Sequence, residues 1–143
     1  MIREICDGDY AGLMQLYTHL HEKSVPEKTP EVAAVWDGIL SDPAHHIIVA
    51  EEDGQIVSSC VCVIVPNLTH GVRPYALIEN VVTHADYRGR GLATACLDFA
   101  REIARCESCY KMMLITQSKE ESTLRFYERA GYSRGRTAFV QML

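Results

Sequence analysis

The chain opens with a short β-like run and two segments of helical periodicity. The run "MIREIC" predicts a first strand, and Asp7 or Asp9 can cap the helix that follows it. Thr29 followed by Pro30 predicts the start of a second helix. The apolar residues of the two helices recur at helical spacing: Leu13, Tyr17 and Leu20 in the first, and Val32, Val35, Trp36, Ile39 and Leu40 in the second.

The middle of the chain has the pattern of antiparallel strands. In "HIIVAEEDGQIVSSCVCVIVP", two β-rich runs flank Asp53 and Gly54, a favoured pair for a tight turn, so this segment predicts a hairpin. After a polar loop, "YALIENVVT" predicts a further strand. Alternation along this strand places one set of side chains on a single face: Leu77, Glu79, Val81 and Thr83.

The last third of the chain alternates helices and strands. The segment from Ala93 to about Cys106 has one apolar face, "KMMLIT" predicts a strand, and "SKEESTLRFYERAG" predicts a helix that ends at Gly131. The closing run "TAFVQML" predicts a final strand. The order βααβββαβαβ describes one α/β domain over residues 1–143 with a partly parallel sheet.

The composition of the chain limits the kinds of partner that we expect it to bind. The formal net charge of −5 disfavours a nucleic-acid partner, which usually requires a broad basic face. No run approaches the roughly 20 apolar residues of a membrane span, and the N-terminus lacks the apolar core of a signal peptide, so we expect a cytoplasmic protein without a membrane partner. The six cysteines include two close pairs, 60/62 and 106/109, that resemble a zinc site, but the first pair lies inside an apolar run where cysteine acts as a small hydrophobe. We therefore expect no metal.

The most informative segment is "RGRG", residues 88–91, between the strand "YALIENVVT" and a helix. A helix N-terminus leaves backbone N–H groups unpaired, glycines let a ligand approach them, and arginines add charge, so this unit can hold a diphosphate. A plain turn with solvated arginines is the alternative. Two other diphosphate loops fit poorly: no Gly-Lys pair of a P-loop occurs, and a dinucleotide fingerprint has Thr94 where its third glycine belongs.

The stretch "RGRGLA" resembles the R/Q-x-x-G-x-G/A signature of the GNAT superfamily of N-acetyltransferases, with Arg88, Gly91 and Ala93 at its fixed positions. "LRFYERAGY" is similar to a later helix of that superfamily, and element order agrees along the whole chain. The segments "CYKMML" and "FYERAGY" are loosely similar to the glucosamine-6-phosphate N-acetyltransferases. The resemblance implies a single GNAT domain with a mixed central sheet of about six to seven strands flanked by four helices.

The resemblance also implies acetyl-CoA as the acetyl donor. Its pantetheine arm would pair with the main chain of Val81, Val82 and Thr83. Its diphosphate would lie on the loop and first helical turn: Arg88, Gly89, Arg90, Gly91, Leu92, Ala93 and Thr94. Many members carry an Asn seven residues before the helix tyrosine, where this chain has Glu120; Ser118 or Thr123 is a candidate for the missing polar contact.

Two residues are candidates for the proton transfers. The resemblance implies that Tyr127 donates a proton to the departing thiolate, and a phenol is protonated at neutral pH. Glu79 is a carboxylate in an otherwise apolar strand, and a partly buried carboxylate suits a base or a substrate-orienting group. The alternatives are a core tyrosine and a strand glutamate paired with an arginine.

These features predict an enzyme that acetylates a primary amine of a small molecule by direct transfer. A protein or peptide acetyltransferase and a non-catalytic, CoA-binding regulatory module are the alternatives. The apolar closing run can pair or exchange at a sheet edge, so we expect a homodimer.

Overall fold

A computed structural model describes residues 1–143. Five strands and five helices follow one another along the chain. In chain order they are β1 (Ile2–Glu4), α1 (Tyr10–Tyr17), α2 (Pro30–Ser41), β2 (His45–Glu52), β3 (Gln55–Val65), α3 (Thr69–Val72), β4 (Tyr75–Thr83), α4 (Leu92–Cys106), β5 (Met112–Met113) and α5 (Glu121–Arg129).

The strands form one mixed sheet in the order β1-β2-β3-β4-β5. All neighbours are antiparallel except β4 and β5, which are parallel because α4 crosses between them. The β4–β5 pairing covers only Ala76 and Leu77, opposite Met112 and Met113. The second half of β4 therefore has a free edge on that side.

The sheet buries a hydrophobic core on each face. One core packs α4 and α5 against the sheet and includes Ile48, Cys60, Ile78 and Leu97. The other packs α1 and α2 against the opposite face and includes Leu13, Leu16, Trp36 and Val61. Burial of apolar surface on both faces stabilises the sheet as the middle layer of three.

Local signals explain several element boundaries. The Thr29 hydroxyl accepts a hydrogen bond from the Val32 N–H at 3.3 Å and so caps α2, as the sequence predicts. Asp53 and Gly54 both take positive φ, 50° and 76°, the conformation of a two-residue hairpin turn between β2 and β3. Gly131, at φ 100°, follows the end of α5.

The C-terminal strand was predicted wrongly. Residues 133–143 form no regular element and are exposed, with Phe139 and Met142 95% and 84% accessible. Isolated β-structure is unstable without a partner edge, and this run meets none within the chain. The sheet therefore has five strands rather than the expected six to seven, and α3, a turn of four residues, adds a fifth helix to the expected four.

None of the helices combines the length and the apolarity that a membrane span requires.

Stability should fall at alkaline pH because the core buries neutral acids. Burial raises the pKa of the Cys96 thiol to about 11, and the pKa of the Cys62 thiol and of the Tyr17 phenol to about 12. Between about pH 9 and 12 the unfolded chain has released protons that the folded chain still binds, so the free energy of unfolding decreases as pH rises. Urea unfolding followed by circular dichroism at pH 8 and pH 10.5 measures this loss.

Matched cysteine variants identify the source of that loss. Cys96→Ala should reduce the pH dependence, because Cys62 and Tyr17 still contribute, whereas Cys106→Ser, at an exposed thiol, should leave it unchanged. Equal stability of the wild-type protein at both pH values would contradict this account.

Candidate active site

The loop before α4 has the shape of an anion cradle. Gly89 and Gly91 take the left-handed conformation, with φ of 76° and 77°, and Gly91 is the N-cap of α4. Apart from the adjacent residues of the chain, no atom lies within 4 Å of the position that a Cβ would occupy at either glycine. The unpaired N–H groups of the first turn of α4 are therefore open to an approaching ligand.

The two arginines of this loop have different surroundings. Arg88 donates from Nε to the Thr83 carbonyl at 3.2 Å, which connects the loop to the end of β4. Arg90 lies over the Tyr87 ring at 4.7 Å and 3.5 Å from the Glu52 carboxylate. Arg88 thus forms no ion pair with a carboxylate, whereas Arg90 pairs with Glu52 of β2.

A β-bulge interrupts β4 next to Glu79. Val61 of β3 lies opposite Glu79 and Ser59 lies opposite Val82, so a single β3 residue, Cys60, faces two residues of β4. One of these two, Asn80, has a φ of 50°. The bulge shifts the alternation, so Val82 rather than Val81 shares the face of Glu79, and Val81 packs against the opposite core. The predicted common face of Leu77, Glu79, Val81 and Thr83 is therefore wrong beyond Glu79.

The structure corrects the predicted surroundings of Glu79. Its side chain is exposed rather than partly buried, and Asn80 is exposed as well. The reason is the short β5, which ends opposite Leu77 and leaves this part of β4 uncovered. Glu79 faces the α1–α2 side of the sheet, because its partner Val61 belongs to that core.

Tyr127 lies on the α4–α5 side of the sheet. Its ring packs at the margin of that core and meets Phe126 and Tyr132 edge to face, at 5.0 and 6.1 Å between centroids. Burial raises the pKa of the phenol, so it stays protonated at neutral pH. Tyr127 and Glu79 therefore belong to opposite faces of the sheet.

The segment that precedes α5 contains Ser118 and Glu120. Glu120 is the N-cap of α5, and its N–H donates to the Ser118 hydroxyl at 3.2 Å. This hydroxyl thus already has a partner within the chain. Thr123 lies in the first turn of α5, where its N–H donates to the Glu120 carbonyl.

Aromatic and cationic side chains cluster at the opposite end of β4. The rings of His70 and Tyr110 stack with 3.8 Å between centroids, and the Arg73 guanidinium lies 5.9 Å from the Tyr110 ring. The Lys111 ammonium lies 5.3 Å from the Tyr75 ring. We call these five residues the aromatic–cationic cluster. Neither Arg73 nor Lys111 pairs with a carboxylate.

The helical spacing of the sequence predicts Tyr17 only as an apolar position of α1. Its hydroxyl is buried and has no hydrogen-bond partner within the chain. Helical spacing predicted that the ring is buried but carries no information about where the hydroxyl lies. An Asn within an apolar strand is the one signal that marked the bulge, because Asn tolerates positive φ.

The side chains bring together no group of three or more His, Cys, Asp or Glu residues able to hold a metal ion. Cys60 and Cys62 lie in the core, and Cys106 is exposed at the end of α4. The thiols of these residues do not converge on one site.

Comparisons with known protein sequences assign the chain to one family. The sequence model of the acetyltransferase (GNAT) family matches residues 10–132. A glucosamine 6-phosphate N-acetyltransferase of Trypanosoma brucei brucei is 33% identical over 136 residues, which are 92% of this chain and 87% of that protein.

Solved structures agree. A structure assigned to an acetyltransferase of Agrobacterium tumefaciens str. C58 is 40% identical, with a TM-score of 0.91 over 100% of this chain and 99% of the other. An acetyltransferase of Trypanosoma brucei is 30% identical, with a TM-score of 0.86 over 100% and 99% of the two chains. Family match, fold and loop geometry lead to one conclusion: the chain belongs to the acetyltransferase (GNAT) family and is an enzyme of the transferase class.

Proposed function

We propose that this enzyme transfers the acetyl group of acetyl-CoA directly to a primary amine of a small molecule. The observation that carries the proposal is the open glycine loop at the N-terminus of α4, which lies directly after the free edge of β4. A diphosphate and an extended pantetheine arm need these two surfaces side by side. Members of the family use acetyl-CoA.

The cofactor would lie along β4, with its diphosphate at the glycine loop and its thioester end at the bulge. Its diphosphate would accept hydrogen bonds from the N–H groups between Gly89 and Thr94, with Arg88 adding charge. The amides of its pantetheine arm would pair with the main chain of Val81, Val82 and Thr83, where β5 provides no neighbour. The thioester would then lie near the bulge. A polar contact from Ser118 remains part of the proposal.

The chemistry is an acyl transfer whose protons need a base and an acid. The nitrogen lone pair attacks the thioester carbonyl carbon, a C–N bond forms and the C–S bond breaks. Glu79, exposed to solvent on one face of the sheet, would accept the amine proton through water. Tyr127, protonated on the other face, would donate to the departing thiolate.

The acceptor class that we propose is a phosphorylated amino sugar. The support is the relative from Trypanosoma brucei brucei, together with the aromatic–cationic cluster at the start of β4. Arg73 and Lys111 lack carboxylate partners, and His70 and Tyr110 stack beside them, so this surface suits an anionic substituent. A protein or peptide amine is the competing acceptor.

We also propose that the enzyme acts as a homodimer. The C-terminal segment exposes four apolar side chains: Phe139, Val140, Met142 and Leu143. Met113 of β5 and Ile115 just after it are exposed as well, and contact with a second copy would bury these apolar surfaces. Arg134 holds the start of this segment against α5 through Glu121, at 2.8 Å, and Glu128. Beyond Arg134 the chain is free to reach a second copy.

Thiol release from acetyl-CoA over a panel of amines tests the proposed reaction. We expect turnover with glucosamine 6-phosphate, a kcat/KM at least about tenfold lower with glucosamine, and no turnover with amino-terminal peptides. Arg73→Gln should raise the KM for the phosphorylated sugar and leave that for glucosamine unchanged. Turnover of peptides alone would refute the small-molecule assignment.

Tyr127→Phe separates chemistry from binding. The variant keeps the ring and its packing but lacks the proton donor, so kcat should fall by about 10- to 1,000-fold while the acetyl-CoA Kd changes by less than a few-fold. Steady-state kinetics and calorimetry measure the two quantities. An unchanged kcat would mean that Tyr127 only packs against the core.

Gly91→Val tests the diphosphate cradle. A branched side chain next to the N–H groups of α4 should raise the acetyl-CoA Kd by about tenfold or more, as measured by calorimetry. Gly54→Val is the matched control, because Gly54 has a φ of 76° and equally open surroundings but lies in the hairpin turn. Equal Kd values for the two variants would exclude the loop as the diphosphate site.

Light scattering at micromolar concentration tests the assembly. We expect the mass of a dimer for the wild-type protein and of a monomer for Phe139→Asp, since a charge at the interface opposes apolar burial. Val35→Asp introduces the same charge at an exposed valine on α2 and should leave the dimer intact. A monomeric wild-type protein would refute the proposal.

A further inference from the structure

His84, the residue that follows β4, has a side chain to which the proposed reaction gives no task. Its Nδ1 atom accepts a hydrogen bond from the Asp86 N–H at 3.1 Å, and its carbonyl accepts one from the Tyr87 N–H at 2.9 Å. Its own N–H donates to the Val57 carbonyl of β3 at 2.8 Å. His84 therefore connects the turn before the glycine loop to the central sheet.

Two aromatic neighbours hold the ring of His84. His19, in the turn after α1, lies against it with 4.2 Å between ring centroids and 41° between the ring planes. Tyr87 meets it edge to face at 5.4 Å, and the Arg90 guanidinium lies 4.7 Å from the Tyr87 ring. The imidazole is thus supported from the side of α1 and from the loop itself, which keeps Nδ1 directed at the turn.

We propose that His84 is a positioning residue for acetyl-CoA: through Nδ1 it fixes the turn Ala85–Tyr87, and so holds the glycine loop in the conformation that receives the diphosphate. His19 supports the His84 ring in this task. The proposal rests on the proposed function, which places the diphosphate on the N–H groups from Gly89 to Thr94. His84 acts on the loop and needs no contact with the cofactor.

The restraint is needed because the loop is intrinsically mobile. Gly89 and Gly91 have positive φ, and glycine has more backbone freedom to lose than any other residue. Ala85 and Asp86 are exposed, so burial contributes little to holding the turn. A side-chain acceptor that bonds to the N–H two residues ahead is the means by which Asn and Asp stabilise turns. A loop that is ordered in advance loses less conformational entropy when the ligand binds.

Substitutions at His84 separate its hydrogen bond from the packing of its ring. His84→Asn keeps an acceptor for the Asp86 N–H but has no ring, whereas His84→Phe keeps a ring but has no acceptor. By calorimetry, we expect His84→Phe to raise the acetyl-CoA Kd by at least about fivefold and His84→Asn to stay within about twofold of the wild-type value. With an amine that the enzyme acetylates, kcat at saturating acetyl-CoA should be unchanged in both variants.

His45→Phe is the matched control. It makes the same change on β2, where His45 pairs with Val63 towards the opposite end of the sheet from His84, and should leave the Kd unchanged. A wild-type Kd in His84→Phe would overturn the proposal. An equal loss of affinity in His84→Asn and His84→Phe would overturn it as well, because the ring rather than the hydrogen bond would then hold the loop.

Hydrogen exchange tests the same restraint without a ligand. The Asp86 amide should exchange at least about fivefold faster in His84→Phe than in His84→Asn, His45→Phe or the wild-type protein. Equal exchange at Asp86 in all four proteins would overturn the proposal, whatever the affinity for acetyl-CoA.

Variants of His19 test the supporting contact. His19→Phe keeps a ring against His84 and should leave the acetyl-CoA Kd unchanged, whereas His19→Ala should raise it by about threefold. In a His84→Asn background, His19→Ala should have no further effect, since no ring remains to be supported. A full additional loss there would overturn the support by His19, because the two residues would then act independently.

The measurements separate this proposal from the proposed function. If the Kd values follow the expected order while no amine is acetylated, the transfer reaction fails and the restraint by His84 stands. If amines are acetylated and all variants bind acetyl-CoA equally, the proposed function stands and the positioning role fails.

Discussion

The candidate site depends on one irregularity, the extra residue in β4. Asn80 takes a positive φ that costs roughly 1 kcal/mol for most residues, and the ladder between β3 and β4 is interrupted opposite Cys60. Before the bulge β4 pairs with β5; after it the strand has a free edge and leads into the glycine loop. A regular strand would continue the ladder and leave less room for a ligand between β4 and β5.

The rest of the fold holds this open edge in place. The cores on the two faces anchor β4 through residues on either side of the bulge, Ile78 towards α4 and Val82 towards α1. At its end, the Thr83 hydroxyl bonds to that of the buried Ser58 at 2.8 Å, and Arg88 donates to the Thr83 carbonyl. The strand is thus firm at both ends and exposed between them, as a binding edge must be.

Sequence patterns predicted the regular elements better than the irregular ones. The limits of β4, the cap of α2 and the hairpin turn at Asp53 and Gly54 agree with the structure because each depends on local chemistry. The closing strand was predicted wrongly because a β-prone run forms a strand only when it pairs with the edge of another strand, and that pairing is not encoded in the run itself. The exposure of Glu79 was missed for a similar reason, since it follows from the length of β5 rather than from β4.

The candidate site could be predicted only in part. The glycines before α4 predicted the loop, and in the structure both Gly89 and Gly91 have positive φ. The β-rich pattern placed Glu79 on the correct strand, but the bulge beside it depends on pairing between distant elements. Such contacts leave little trace in one sequence, apart from an Asn inside an apolar strand.

A crystal structure with a stable acetyl-CoA analogue tests the central claim most directly, because it locates the thioester relative to the bulge. The account predicts the diphosphate on the N–H groups from Gly89 to Thr94, the pantetheine arm along Val81–Thr83, and the sulfur within about 3.5 Å of the Tyr127 hydroxyl. A cofactor bound away from the free edge of β4, or a sulfur out of reach of Tyr127, would contradict it.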